Sequence, residues 1–152
     1  SPSAVVLHRN LLEQVGNFDE NLPACEDYDL WLRVGCRHPI GLLPDPLVIK
    51  RGGHSDQLSA TTPAQDLYRI RALAKLLEQQ PLTEHQRQLT LAVMERKCAI
   101  YSQGCLRRGR YLEAATIRRL PERASKAGSN SAGSVLSEGF WNSLARAVHQ
   151  EH

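Results

Sequence analysis

From Thr62 onward the apolar residues fall where an α-helix gathers them on one side. Behind Pro63, residues Leu67, Ile70, Leu73, Leu76 and Leu77 return at helical spacing, so this stretch is predicted to fold against a core as an amphipathic helix. Thr83 and Gln86 stand at capping-box spacing and open a second predicted helix that runs to about Gly104. After the turn at "RRGR", a third is expected from Tyr111 to Leu120. Beyond Pro121 the run "ERASKAGSNSAGS" is rich in Ser, Gly and Ala, lacks periodicity, and reads as a flexible linker. Past it, only "VLSEGFWNSLARAVH" is patterned as a short terminal amphipathic helix.

The first third of the chain has a different texture. "AVVL" at 4 to 7 is a short β-branched run of the kind found in buried strands, and "HRNLLEQVGNFDE" reads as about two turns of helix stopped by Gly16. Asn17, Asp19, Glu20, Asn21 and Pro23 carry turn chemistry. Glu26 to Arg37 then place Leu30, Trp31 and Val34 on one side of a predicted helix. Pro44 and Pro46 interrupt the extended segment that follows, leaving Leu47 to Lys50 as the expected strand and Gly52-Gly53 as a loop.

A length of 152 residues corresponds to about one domain. A net charge of +3 is too small to argue for nucleic acid, and no nucleic-acid partner is expected. The charge is uneven, however. Cys105 to Lys126 holds seven Lys or Arg against two Glu, a patch suited to an anionic surface. Cysteines at 25, 36, 98 and 105 have no CxxC spacing, which argues against structural zinc or a thioredoxin motif and fits free thiols in a reducing compartment. No run of about 18 apolar residues is present to span a bilayer. The chain starts "SPSAVVLHR" without Met and is read as a piece of a longer protein.

The acids in "LPACEDYDLWLR" raise the functional question. Glu26, Asp27 and Asp29 occupy the first turn of a predicted helix, where the helix dipole favours carboxylates by roughly 0.3 to 1 kcal/mol each. Capping alone accounts for one or two acids. Three within four positions repel one another, which points to another task for at least one.

"VGNFDENLPACEDYDLWLR", followed by "LVIKRGGHSDQLS", resembles the C-terminal half of bacterial family 2 glycosyltransferases, over roughly residues 3 to 120. Gly16-x-Phe18-Asp19-Glu20, the Glu26-Asp27 pair and Trp31-Leu32-Arg33 carry the resemblance. It implies an α/β chain, mostly helical as given, forming the acceptor-side portion of a GT-A fold. Residues 1–60 would be the acceptor-side part of the catalytic domain, 61–120 a helical extension, and 121–152 the linker and terminal helix. It also implies inverting transfer of a sugar from a nucleotide-sugar donor to an acceptor hydroxyl, with Asp27 as general base, Glu26 orienting the site, and Asp29, Trp31 and Arg33 at the acceptor. Asp29 and Arg33 could instead brace the helix, and Trp31 could instead be core.

Such a base must be ionised to take the hydroxyl proton as the oxygen attacks the anomeric carbon. By the same resemblance His54, behind two glycines, is a candidate ligand of Mn²⁺ or Mg²⁺ or a diphosphate contact, and Asp56 and Gln57 share its loop. "DYD" at 27 to 29 has the spelling of the family's metal-binding Asp-x-Asp but stands at the base position, so it is not read as that motif. The donor half is expected elsewhere in a longer enzyme, which leaves this chain inactive alone. The acceptor is expected to be a saccharide, free or lipid-linked, or a protein, and the expected location is cytoplasmic or membrane-adjacent. An unpaired strand edge would favour a homodimer. The alternative is a non-catalytic helical interaction module, because residues 98 to 118 resemble half of a tetratricopeptide-type helix pair with Gly104 and Ala114 at close-packing positions.

Overall fold

The computed structural model describes residues 2–49, 62–126 and 137–149. Among the described residues, a 3-10 turn at Pro2–Ala4 is followed by seven helices: α1 (Arg9–Val15), α2 (Glu26–Gly35), α3 (Gln65–Gln79), α4 (Glu84–Arg107), α5 (Tyr111–Arg118), α6 (Leu120–Lys126) and α7 (Glu138–His149).

Helix α3 is the central element, and its periodicity explains why. Leu67, Ile70, Leu73, Ala74 and Leu77 face α4, whereas Tyr68, Arg71, Ala72 and Leu76 are buried on its other sides, so nine of its fifteen residues are buried. It packs against α2 on one flank and α4 on the other. Each fully buried Leu or Ile contributes roughly 1.5–3 kcal/mol relative to an exposed one. The main core adds Met94, Cys98, Tyr101 and Cys105 from α4, Ala114 and Ile117 from α5, Leu120 and Ala124 from α6, and Trp141 and Leu144 from α7. A smaller cluster of Leu22, Ala24 and Tyr68 anchors the turn that leads into α2.

Helix α4 starts as the sequence predicts: Gln86 N–H donates to Thr83 Oγ1 at 3.2 Å and Thr83 N–H donates to Gln86 Oε1 at 2.9 Å, completing a capping box. The Gln86 amide also donates to the Cys36 carbonyl at 3.0 Å, which ties the end of α2 to the start of α4. Gly109, at φ +73°, permits the tight reversal between α4 and α5. The two helices pack along their length, with Ser102 Oγ donating to the Ala114 carbonyl at 3.2 Å and the Tyr101 hydroxyl donating to Glu113 at 2.6 Å. Ala114 is therefore at a close-packing position, while Gly104 lies under the Arg108 guanidinium.

The α/β expectation is corrected by this structure. The described residues are mostly helical and contain no strand or sheet, which conflicts with a portion of a GT-A fold. Ala4 belongs to the 3-10 turn, and Val5 to Leu7 and Leu47 to Ile49 are irregular and without a ladder partner. The reason is physical: β-branched preference stabilises a strand only when a neighbour accepts its hydrogen bonds and covers its side chains. Here Val6 is 97% and Ile49 87% exposed. Lys50, and the loop carrying Gly52, Gly53, His54, Asp56 and Gln57, lie outside the described residues. The first residues of the predicted linker are helical instead, because α6 runs to Lys126 with Pro121 in its first turn, where a missing N–H costs no helical bond, and the rest of that segment up to residue 136 lies outside the described residues.

Candidate functional site

The acidic turn of α2 is set by an unusual start. Cys25 sits at the N-cap in the left-handed region at φ +61° and gives no side-chain cap, so Glu26 and Asp27 follow directly as the first two helical residues. Asp27 Oδ1 accepts the Tyr28 N–H at 2.7 Å. Both carboxylates are half-buried, and among the described residues neither has a cation within ion-pair distance. Trp31, one helical turn beyond Asp27 and thus on the same face, is half-buried too and takes no part in the core clusters.

Asp29 is in a different situation. Its side chain is 2% exposed, and Oδ2 accepts from Arg33 Nε and Nη2, each at 2.9 Å. Oδ1 accepts from Lys75 Nζ on α3 at 2.9 Å, and Lys75 also pairs with Asp19. Arg33 reaches onward to α1, where Nη1 donates to the Val15 carbonyl and to that of Gly16 at 3.3 Å, and Nη2 to that of Asn17 at 2.8 Å. The network thus satisfies the carbonyls left open at the C-terminus of α1 and joins α1, α2 and α3. Burial works to raise the Asp19 carboxyl, but the Lys75 ammonium and the Asn21 amides outweigh it and hold it below its ordinary value.

A second ion cluster lies at the start of α3. Asp66 Oδ1 accepts from Arg69 Nη1 and Lys97 Nζ, each at 2.9 Å. Burial pushes the Asp66 carboxyl up, and the two cations more than reverse that and lower it. Burial likewise pushes the Cys25 thiol up, and the nearby Asp27 and Glu26 charges add to the shift against the pull of Arg69. Cys25 is therefore a protonated thiol donating to the Gln65 carbonyl at 3.7 Å, poorly suited to nucleophilic chemistry.

The structure leaves Glu26, Asp27 and Trp31 half-buried, with Asp27 and Trp31 one turn apart on one face, and draws Asp29 and Arg33 into the bracing of three helices. Asp29 of "DYD" is held by two cations, Arg33 and Lys75. Among the described residues no three His, Cys, Asp or Glu side chains converge on a point that could hold a metal ion, and His54 lies outside those residues. Sequence reasoning missed Lys75, the partner that separates Asp29 from its neighbours. It lies 46 residues away, and nothing local signals the contact. No family model, curated protein or solved structure matches the chain.

Proposed function

We propose that this chain supplies the acceptor side of an inverting glycosyl-transfer site, with Asp27 as general base and Glu26 orienting it. The observation that supports the reading is the division of one acidic turn: Asp29 is neutralised by Arg33 and Lys75, whereas Asp27 stays half-buried, without a cation among the described residues, one turn from an indole. A carboxylate of that kind accepts a hydroxyl proton, and an aromatic face beside it suits the apolar side of a sugar ring. In the reaction Asp27 takes the proton from the acceptor oxygen as that oxygen bonds to the anomeric carbon. The bond from that carbon to the nucleotide diphosphate breaks, and its electron pair leaves with the diphosphate. Mn²⁺ or Mg²⁺, in the complete enzyme, would neutralise that leaving group. The nucleotide-sugar donor is assigned to another part of that enzyme, and the acceptor to the class of saccharides, free or lipid-linked.

The test is transfer from a panel of nucleotide sugars in the presence of Mn²⁺, comparing this chain, the longer enzyme and that enzyme carrying Asp27→Asn. Loss of a general base costs about 10²- to 10⁴-fold. The expected result is turnover by the longer enzyme, none by this chain, and loss of that size in the variant with nucleotide binding retained. Full activity in Asp27→Asn overturns the reading and leaves the acids as a helix cap. A non-catalytic helical interaction module then becomes the better account, supported by the closely packed α4–α5 hairpin.

A further inference from the structure

The α4–α5 corner combines two features that rarely share a site in water. Three large side chains project from it: Leu106 in the last turn of α4 is 41% exposed, and Tyr111 and Leu112 in the first turn of α5 are 69% and 84% exposed. The corner itself projects, since a side chain added at Gly109 would meet no atom within 4 Å. Arg107 and Arg108 stand beside it at the end of α4, and Arg118 and Arg119 about two turns away at the far end of α5; all four are exposed, and among the described residues none has a carboxylate within ion-pair distance. Helical spacing places Arg119 on the stripe of Leu112, opposite the buried Ala114 and Ile117, and Arg118 on that of Tyr111, at the edge of the buried side.

We propose that this corner docks on an anionic lipid surface, with Leu112, Tyr111 and Leu106 entering the boundary of the hydrocarbon and the four guanidiniums lying at the level of the phosphates. The charge is complementary, and the shape decides between anionic partners. Apolar side chains on a projecting turn wedge into an interface, whereas an acidic peptide is better held by a groove. Tyrosine has the amphipathic ring that settles at headgroup depth. No described helix is long and apolar enough to cross a membrane, so the attachment is peripheral. The inference is independent of the acceptor-site reading, because Asp27 and Trp31 lie on α2 and take no part in it.

Vesicle co-sedimentation of the full chain tests it, using phosphatidylcholine with and without phosphatidylserine. The expected result is binding only to the vesicles with phosphatidylserine, weakened by added salt. Each arginine near such a surface contributes about fivefold, so Arg118→Gln with Arg119→Gln should weaken binding by roughly 25-fold at unchanged helical content. In Leu112→Trp the added indole should shift its emission to the blue on binding. Failure of the intact, helical chain to bind, equal binding to both vesicles, or no emission shift in bound Leu112→Trp overturns the proposal. Capture by immobilised polyglutamate with no vesicle binding overturns it in favour of an acidic protein partner.

Discussion

Two residues of α-helix rotate a side chain through about 200°, and that rotation divides the acids of α2. Asp27 is turned toward the half-buried Trp31 face and Asp29 toward Lys75. Removing Asp29 leaves Arg33 and Lys75 without their shared counter-charge inside the fold. Asp29→Ala should therefore destabilise by about 3–5 kcal/mol, read as a lower urea midpoint at unchanged slope. A loss below ~1 kcal/mol would show that the network is not integral to the packing of α1, α2 and α3. The spelling "EDYD" shows acids at a helix start, but which of them is neutralised depends on Lys75, supplied by another helix.

Titration of these residues sets the pH range of stability. Asp19 and Asp66 are held below their ordinary values in the folded chain, so their contribution is complete above about pH 4 and is lost as pH falls through the depressed values. The sign reverses at the alkaline end. Burial, with Glu95 adding to it, pushes the Cys98 thiol from 9.0 up to about 12, and burial with Glu113 pushes the Tyr101 hydroxyl up as well. Their contribution is complete below about pH 9 and is lost as pH rises toward 12. Urea midpoints should accordingly form a plateau from about pH 4 to 9 with a fall on each side, and a midpoint that keeps rising above pH 9 would contradict the assignment. Cys98 and Cys105, both buried, should resist a thiol reagent until the chain unfolds.

At the scale of elements, the helices were legible and the strands were not. The spacing of Leu67, Ile70, Leu73 and Leu77 is a property of one segment, as is the Thr83 capping box, and both appear in the structure as the sequence predicts. A strand is a property of two segments, and neither "AVVL" nor Leu47 to Ile49 has a described neighbour with which to pair. Thr83→Ala should cost about 1 kcal/mol by removing the cap on α4. Gly109→Ala should cost about 1–2 kcal/mol, because the reversal into α5 holds that residue at φ +73°. Thermal midpoints of the two variants check both, and an unchanged midpoint for Gly109→Ala would mean that the turn tolerates another conformation.

For the whole molecule, a helical body presents two chemically distinct surfaces, one acidic and half-buried on α2, the other basic and apolar at the α4–α5 corner. The account turns on the first. The most direct measurement pairs sugar transfer with the urea midpoint for Asp27→Asn and Asp29→Asn in the longer enzyme that the proposal assigns to this chain. The account predicts that Asp27→Asn loses transfer at an unchanged midpoint and that Asp29→Asn lowers the midpoint. Undiminished transfer by Asp27→Asn would contradict it.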